Sequence, residues 1–144
     1  MSHGNPITGQ DNKKNQMETS LFLAKVMGLF GAISTLAIII RYKLYVEMEV
    51  DAVKNPTTIY FSGFLFIILG VLVTVSHQVW TRDWRVVITV LGWMMLAKGV
   101  IRIFLPDTVK KLIEKKKSDR RFFLAEVVGF FISLYLLYKG FILN

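Results

Sequence analysis

The chain contains no cysteine, only two histidines and only three prolines among its 144 residues. The lack of cysteine excludes disulfide bonds, thiol nucleophiles and cysteine metal sites. His3 lies in the polar tail, and His77 alone makes no metal site. We find no nucleophile–base pair, phosphate-binding glycine loop or two-carboxylate motif. The sequence therefore predicts a protein that is not an enzyme and that holds no metal or cofactor.

Acidic residues are also scarce, because 10 Asp and Glu stand against 18 Lys and Arg, which gives a net charge of +8. In a soluble protein this excess would favour nucleic acid as a partner. Here the basic residues lie in the loops between apolar blocks, where lipid headgroups and membrane topology explain them. We expect membrane lipids as partners and no nucleic acid.

The apolar residues, 53% of the chain, gather in four blocks at about residues 20–41, 58–77, 84–105 and 122–143. Each block is long enough, at about 1.5 Å per residue, to cross a hydrocarbon core of about 30 Å. Each is apolar nearly all round, whereas helices of a soluble bundle keep a polar face. The sequence predicts an all-α membrane protein, with four transmembrane helices in an antiparallel bundle forming a single domain over residues 20–144.

The segments outside these blocks receive simpler predictions. Residues 1–19 are polar and predict a disordered tail rather than a secretory signal peptide, and Thr19 and Ser20 are good N-cap residues for the first helix. The segment 41–57 is predicted to continue that helix beyond the membrane until Pro56 stops it.

Small residues predict how the helices pack. Gly63 and Gly70 share one face of the second helix, and Gly92 and Gly99 share one face of the third. Such faces allow the backbones of two helices to approach closely. Residues 22–30 and 123–131 also match closely with one charge reversed, which fits either an internal repeat or convergence under the same packing rule.

A short polar turn joins the second and third helices and holds a cluster of candidate residues: His77, Trp80, Asp83, Trp84 and Arg85. The tryptophans are typical of the aromatic belt at a membrane interface. His77 is expected to anchor the interface or to make a hydrogen bond in the turn, with catalysis or pH sensing as the alternative.

The segment 107–117 predicts a short basic helix on the membrane surface, because Val109, Leu112 and Ile113 fall on one face and lysines occupy the rest. A docking patch for a nucleic acid or an acidic protein is the alternative. The basic residues expected to face anionic lipid are Lys110, Lys111, Lys115, Lys116, Lys117, Arg120 and Arg121.

Three charged residues fall inside the predicted spans near one end. Glu126, Lys98 and Arg102 lie at similar depths, and an intramembrane charge needs a partner or an interface. We expect Glu126 to pair with Lys98 or Arg102, which would lock the third helix to the fourth. The alternatives are an ion-linked carboxylate in a transport path and snorkelling without pairing.

Basic residues are more numerous in the first and third loops than at the termini and the central turn. The positive-inside rule then places loops 1–2 and 3–4 in the cytoplasm and both chain termini outside.

Residues 76–106, with SHQVW, then DW, TVLGW, KG, and Arg102 and Pro106, resemble a family of small bacterial integral membrane proteins without assigned function. That family has Asn where this chain has Gln78. The resemblance implies a bacterial inner membrane location and no activity. From the residues, we expect a structural or accessory multipass subunit or a homo-oligomer; the alternative is a small transporter or channel component that uses Glu126, Lys98 and Arg102.

Overall fold

The computed structural model describes residues 6–143, with side chains from residue 8 onward, and these residues form helices without any strand. Four of the helices are long and apolar enough to cross a membrane. The all-helical class and the four candidate membrane spans predicted from sequence are therefore confirmed. The helices are α1 Pro6–Ile40, α2 Tyr42–Lys54, α3 Pro56–Ser76, α4 Arg85–Phe104, α5 Pro106–Lys116 and α6 Arg120–Ile142.

Helix α1 is longer than the sequence predicts. It begins at Pro6, so residues 6–19 are its first turns rather than a disordered tail, and residues 1–5 lie outside the described part. Thr19 and Ser20 consequently sit inside the helix, and their hydroxyls bond back to the carbonyls of Asn15 and Gln16 instead of capping a helix start.

Prolines and short polar side chains set most of the other boundaries. The helix break at Arg41 separates α1 from α2, and the side chain of Asn55 caps α3, where Pro56 takes the first position. Pro106 opens α5 in the same way, and Asp119 caps α6 by accepting from the backbone N–H of Arg121. Proline suits the first helical position because the N–H it lacks would have no partner there.

The four long helices form two closely packed pairs. In the α3–α4 pair a Cβ on Gly70 would lie 2.5 Å from the backbone nitrogen of Leu96, and one on Gly99 would lie 2.7 Å from that of Ile67. In the α1–α6 pair a Cβ on Gly28 would lie 2.7 Å from the backbone nitrogen of Leu137. The glycines thus allow backbone contact that any larger residue would prevent.

The two pairs touch each other little along their length, and residues near the α3–α4 turn make most of the connection. There a single apolar cluster joins all four long helices. Its buried members are Ala24, Val73, Trp84, Ile88 and Leu136.

Helices α2 and α5 pack on each other at the opposite end of the α3–α4 pair. Val109 and Ile113 of α5 are buried against Val53 of α2 and Ile59 at the start of α3. Leu112 remains 47% exposed. Two of the three apolar side chains that were expected to lie on a membrane surface are therefore used for packing within the protein.

Candidate functional site

A cavity of about 350 Å³ lies beneath α2 and α5, between the ends of α3, α4 and α6. Charged side chains form its polar part, and the remaining wall is mostly apolar. Lining residues are Tyr45, Glu49, Phe66, Lys98, Ile101, Arg102, Val109, Leu112, Ile113, Lys116, Phe122, Ala125 and Glu126.

Glu49 is the centre of the charged side chains in this cavity. Its Oε2 accepts a hydrogen bond from Lys116 Nζ at 2.9 Å, and its Oε1 lies 3.6 Å from Arg102 Nη2. Lys116 Nζ also lies 3.8 Å from Oε1 of Glu126. We call these four residues the Glu49 cluster. Their side chains are only 12–22% exposed, so the cluster ties α2, α4, α5 and α6 together with largely buried charges.

Arg102 is held in place by further contacts from α3. It donates from Nη1 to the hydroxyl of Ser62 at 2.8 Å, and its guanidinium lies 5.2 Å from the ring centre of Phe66. A guanidinium has five N–H donors, so these contacts do not use all the donors of Arg102, which lines the cavity.

Lys116 keeps its charge despite its burial. Burial acts to lower the pKa of Lys116, but the hydrogen bond to Glu49 and the charge of that carboxylate raise it above its ordinary value overall. Its ammonium also lies 5.2 Å from the ring centre of Tyr45, and burial together with Glu49 raises the pKa of that phenol. The cavity therefore contains Lys116 as a cation and Tyr45 as a neutral hydroxyl at physiological pH.

The ion pairs differ from those predicted from sequence. Glu126 lies nearest to Lys116 rather than to Lys98 or Arg102, and Arg102 pairs with Glu49. Lys98 lines the same cavity but has no carboxylate within 4 Å among the described residues. The depth of a residue along the long helices does not include the charges that α2 and α5 bring to the same place.

The basic residues around α5 do not share one environment. Lys116 points inward to the Glu49 cluster and Lys110 is half-buried. The others are exposed: Lys111, Lys115, Lys117, Arg120 and Arg121.

A second polar group surrounds His77 at the opposite end of the long helices, and we call Ser20, His77 and Thr89 the His77 cluster. His77 is 2% exposed, its Nε2 lies 2.9 Å from the hydroxyl of Ser20, and its Nδ1 lies 3.0 Å from that of Thr89. Ser20 donates to the carbonyl of Gln16 at 2.7 Å, and Thr89 approaches that of Val79 at 3.2 Å. The imidazole therefore links α1 to α4 through the end of α3.

Two features favour a neutral His77. Burial and the nearby positive charge of Arg85 lower the pKa of His77 below its ordinary value. The hydroxyl of Ser20 already donates to a carbonyl, so it can accept from Nε2–H. The single hydroxyl proton of Thr89 can go either to Nδ1 at 3.0 Å or to the carbonyl of Val79 at 3.2 Å, and when it goes to Nδ1 both ring nitrogens of one neutral tautomer are hydrogen-bonded.

The predicted turn residues separate into buried and exposed groups. Trp84 is only 8% exposed and belongs to the apolar cluster that joins the four long helices, whereas Trp80 is 67% exposed. Only Trp80 therefore has the exposure that an aromatic belt requires. Asp83 accepts from the backbone N–H of Trp84 at 2.7 Å and pairs with Arg85 at 3.1 Å, which fixes the start of α4.

The arrangement at His77 is suited to holding helices rather than to nucleophilic chemistry. Ser20 is fully buried and its hydroxyl proton is directed to a backbone carbonyl, so it cannot reach a substrate in this state. Within residues 6–143 no three His, Asp or Glu side chains come together as a metal site would require.

Glu49, Ser20 and Thr89 were not identified as site residues from sequence. Glu49 shares a helical face with Tyr45, and Val46, Val50 and Val53 recur at spacings of three and four on α2, which was the available signal that this segment packs against protein. No comparable sequence pattern indicates that Ser20 and Thr89 belong to a site.

No family model, no curated protein and no solved structure matches this chain. The resemblance of residues 76–106 to a family of small bacterial membrane proteins therefore stays a prediction.

Proposed function

We propose that this chain is a multipass protein of the bacterial inner membrane that acts by assembly, as a structural or accessory subunit or as a homo-oligomer, and not by catalysis. The observation that supports this most is the apolar surface that all four long helices leave uncovered. Phe30 is 72% exposed, Phe61 69%, Phe104 75% and Phe131 64%. Lipid covers part of such a surface, and protein partners in a membrane contact the same kind of surface.

The weak contact between the two helix pairs is a second argument for assembly. The small residues of α1 and α6 are used within their own pair, so a partner would contact the large outward-facing side chains instead. Two pairs joined mainly near their ends leave much of the surface of each pair uncovered by the other.

Assembly is tested by the mass of the protein purified in a mild detergent and, separately, in nanodiscs formed directly from the membrane. We expect a protein mass of two or more times 16.5 kDa, or a second membrane protein present in fixed ratio. A single 16.5 kDa chain without a stoichiometric partner in both preparations would contradict the proposal.

We further propose that the four long helices form an antiparallel membrane bundle with both termini and the α3–α4 turn outside. The supporting contacts run in opposite order along each pair. In the α3–α4 pair Gly63 faces Ile103 while Gly92 faces Val73, and in the α1–α6 pair Gly140 faces Lys25 while Gly31 faces Ser133. Helices α2 and α5 would then lie at the cytoplasmic interface, with the exposed lysines and arginines around α5 near anionic headgroups.

The lack of cysteine makes this topology easy to test. In Thr81→Cys and Ser118→Cys variants, a membrane-impermeant maleimide should label residue 81 in intact cells and residue 118 only after permeabilisation. The reverse pattern would overturn the orientation.

A small transporter or channel component is the second candidate, and the charged cavity is the observation that favours it. Replacing both Glu126→Gln and Lys98→Met removes one carboxylate and one ammonium from the cavity lining. If the double variant is stable and the ion flux of proteoliposomes is unchanged, transport through this site is excluded. A lost flux in the double variant, with normal flux in a Lys111→Met control, would favour transport over a purely structural role.

A further inference from the structure

The side chains that line the cavity at the Glu49 cluster carry a net charge of +1. Three cations line it, Lys98, Arg102 and Lys116, against the two carboxylates Glu49 and Glu126. The two oxygens of Glu49 already face Arg102 and Lys116, and Glu126 lies closest to Lys116. Lys98 is therefore the cation without a counter-charge among the described residues, and a ligand with one negative charge would balance the site.

The shape and position of the cavity narrow the class of that ligand. Lys98 and Ala125 line the cavity and are exposed, as are Ile101 at 41% and Leu112 at 47%. Helices α4 and α6 make little contact with each other, and the exposed lining residues Lys98, Ile101 and Ala125 belong to these two helices, so we infer that the cavity opens between them. In a membrane this opening would face lipid. A lipid whose polar head enters the cavity would place its acyl chain beside Ile101 and Leu112.

The positions of Lys98 and Arg102 along α4 are those expected for side chains that bind a lipid headgroup. Lys98 lies six residues before the end of α4 and Arg102 two residues before it, which is about 9 Å and about 3 Å along the helix axis. This is the zone between the headgroups and the upper acyl chains. A cavity of about 350 Å³ is near the lower limit of small-molecule sites, roughly 300–1,000 Å³, so it admits a headgroup and not a whole two-chain lipid.

We propose that this cavity is a binding site for one anionic amphiphile, whose phosphate or carboxylate head contacts Lys98 and Arg102 while its acyl chain leaves between α4 and α6. Arg102 is already oriented by Ser62 and Phe66, so it loses little side-chain freedom on binding. The site differs from general attraction to the exposed lysines of α5, because it binds a single molecule in one place. It requires membrane insertion but not assembly.

The test is native mass spectrometry of the detergent-solubilised protein titrated with phosphatidylglycerol, phosphatidylcholine or inorganic phosphate. Wild type should retain one phosphatidylglycerol per chain in preference to phosphatidylcholine. A charge-assisted hydrogen bond contributes about 1.5–3 kcal/mol, so Lys98→Met should weaken that binding at least about tenfold. Lys111→Met is the matched control, because it removes the same charge from an exposed position on α5 outside the cavity.

A second variant tests the cavity without changing its charge. Ala125 is exposed and lines the cavity, so Ala125→Leu should fold and should reduce lipid retention by filling the space. Equal losses in Lys98→Met and Lys111→Met would show surface attraction only and overturn the proposal. Equal retention of the two lipids, or displacement of phosphatidylglycerol by an equal concentration of inorganic phosphate, would also overturn it. The readout counts bound lipid per chain, so it separates failure of this site from failure of the proposed assembly.

Discussion

His77 is buried and Glu49 is largely buried, at opposite ends of the long helices, and each connects helices that are distant in sequence. His77 is held by the hydroxyls of Ser20 and Thr89 without any ion pair, near the apolar cluster that joins the four long helices, and it lines only a small cavity of about 190 Å³. Glu49 is held by two cations and lies beside a cavity of about 350 Å³.

The difference follows from the cost of burying charge. A neutral imidazole with both ring nitrogens bonded can be packed closely, because its hydrogen bonds within the protein replace those it would make to water. Three cations and two carboxylates repel as well as attract, and they retain partial access to solvent or ligand. The His77 end is thus suited to holding helices together, and the Glu49 end to binding.

Replacing Glu49→Gln should have the largest effect of the changes considered, because Arg102 and Lys116 would then lose their shared buried counter-charge. Breaking a buried ion pair typically costs about 3–5 kcal/mol, and we expect about 3 kcal/mol here because the amide keeps some hydrogen bonding. The measurement is the thermal unfolding midpoint in detergent.

Glu47→Gln is the matched control, since it makes the same change at an exposed position of α2. If both variants unfold at the same temperature, the Glu49 cluster contributes nothing specific to stability. The Glu49 and His77 ends of the molecule would then differ in side-chain packing and not in stabilisation by charge.

Ser20→Ala should have the next largest effect, at the other end of the molecule. It leaves Nε2 of the buried His77 without a partner, and an unsatisfied buried group costs about 1–3 kcal/mol. Thr19→Ala removes a hydroxyl that bonds back to Asn15 in the same way but makes no hydrogen bond to another helix, so it should be near neutral. Equal unfolding midpoints for the two variants would show that the hydrogen bond to His77 does not stabilise the packing of α1.

The sequence predicts a structural feature well when a single helix determines it, and less well when the feature depends on how several helices pack together. Length and hydropathy identify the four apolar helices, and the spacing of Gly63, Gly70, Gly92 and Gly99 identifies the face on which α3 and α4 approach each other. The pairing of Glu126 depends on where Lys116 points, and that depends on the packing of α5 against α2.

Residue environments in the α3–α4 turn were harder still to predict. Trp80 and Trp84 have the same side chain, yet one is exposed and one is buried by contacts from α1 and α6 that no local pattern encodes. Ser20 was interpreted as a cap because nothing in residues 6–19 indicates that α1 continues through them. Its bond to His77 spans 57 residues of sequence.

The pH dependence of stability should give a smaller effect that distinguishes the His77 end of the molecule from the Glu49 end. The pKa of His77 is lowered in the folded protein, so in the range below its ordinary value of 6.5 the unfolded chain binds the extra proton. The stability from a neutral His77 is therefore fully present above about pH 6.5 and is lost as the pH falls. Between pH 7.5 and 5.5 the unfolding midpoint of the wild type should fall more than that of His77→Gln. Parallel curves would show that His77 does not titrate differently on unfolding.

The smallest effect is expected for Asp51→Asn, which lies only two residues from Glu49 on α2. Asp51 accepts a hydrogen bond from Lys54 at 2.7 Å, a shorter distance than either contact of Glu49, but the two side chains are 73% and 69% exposed. Water and salt screen such a pair, so the unfolding midpoint should not change measurably at physiological ionic strength. A loss comparable to that of Glu49→Gln would mean that α2 is stabilised by its charge pattern as a whole. An unchanged midpoint would locate the stabilising charge in the buried Glu49 cluster, where removal of a partner leaves two cations that water cannot fully solvate.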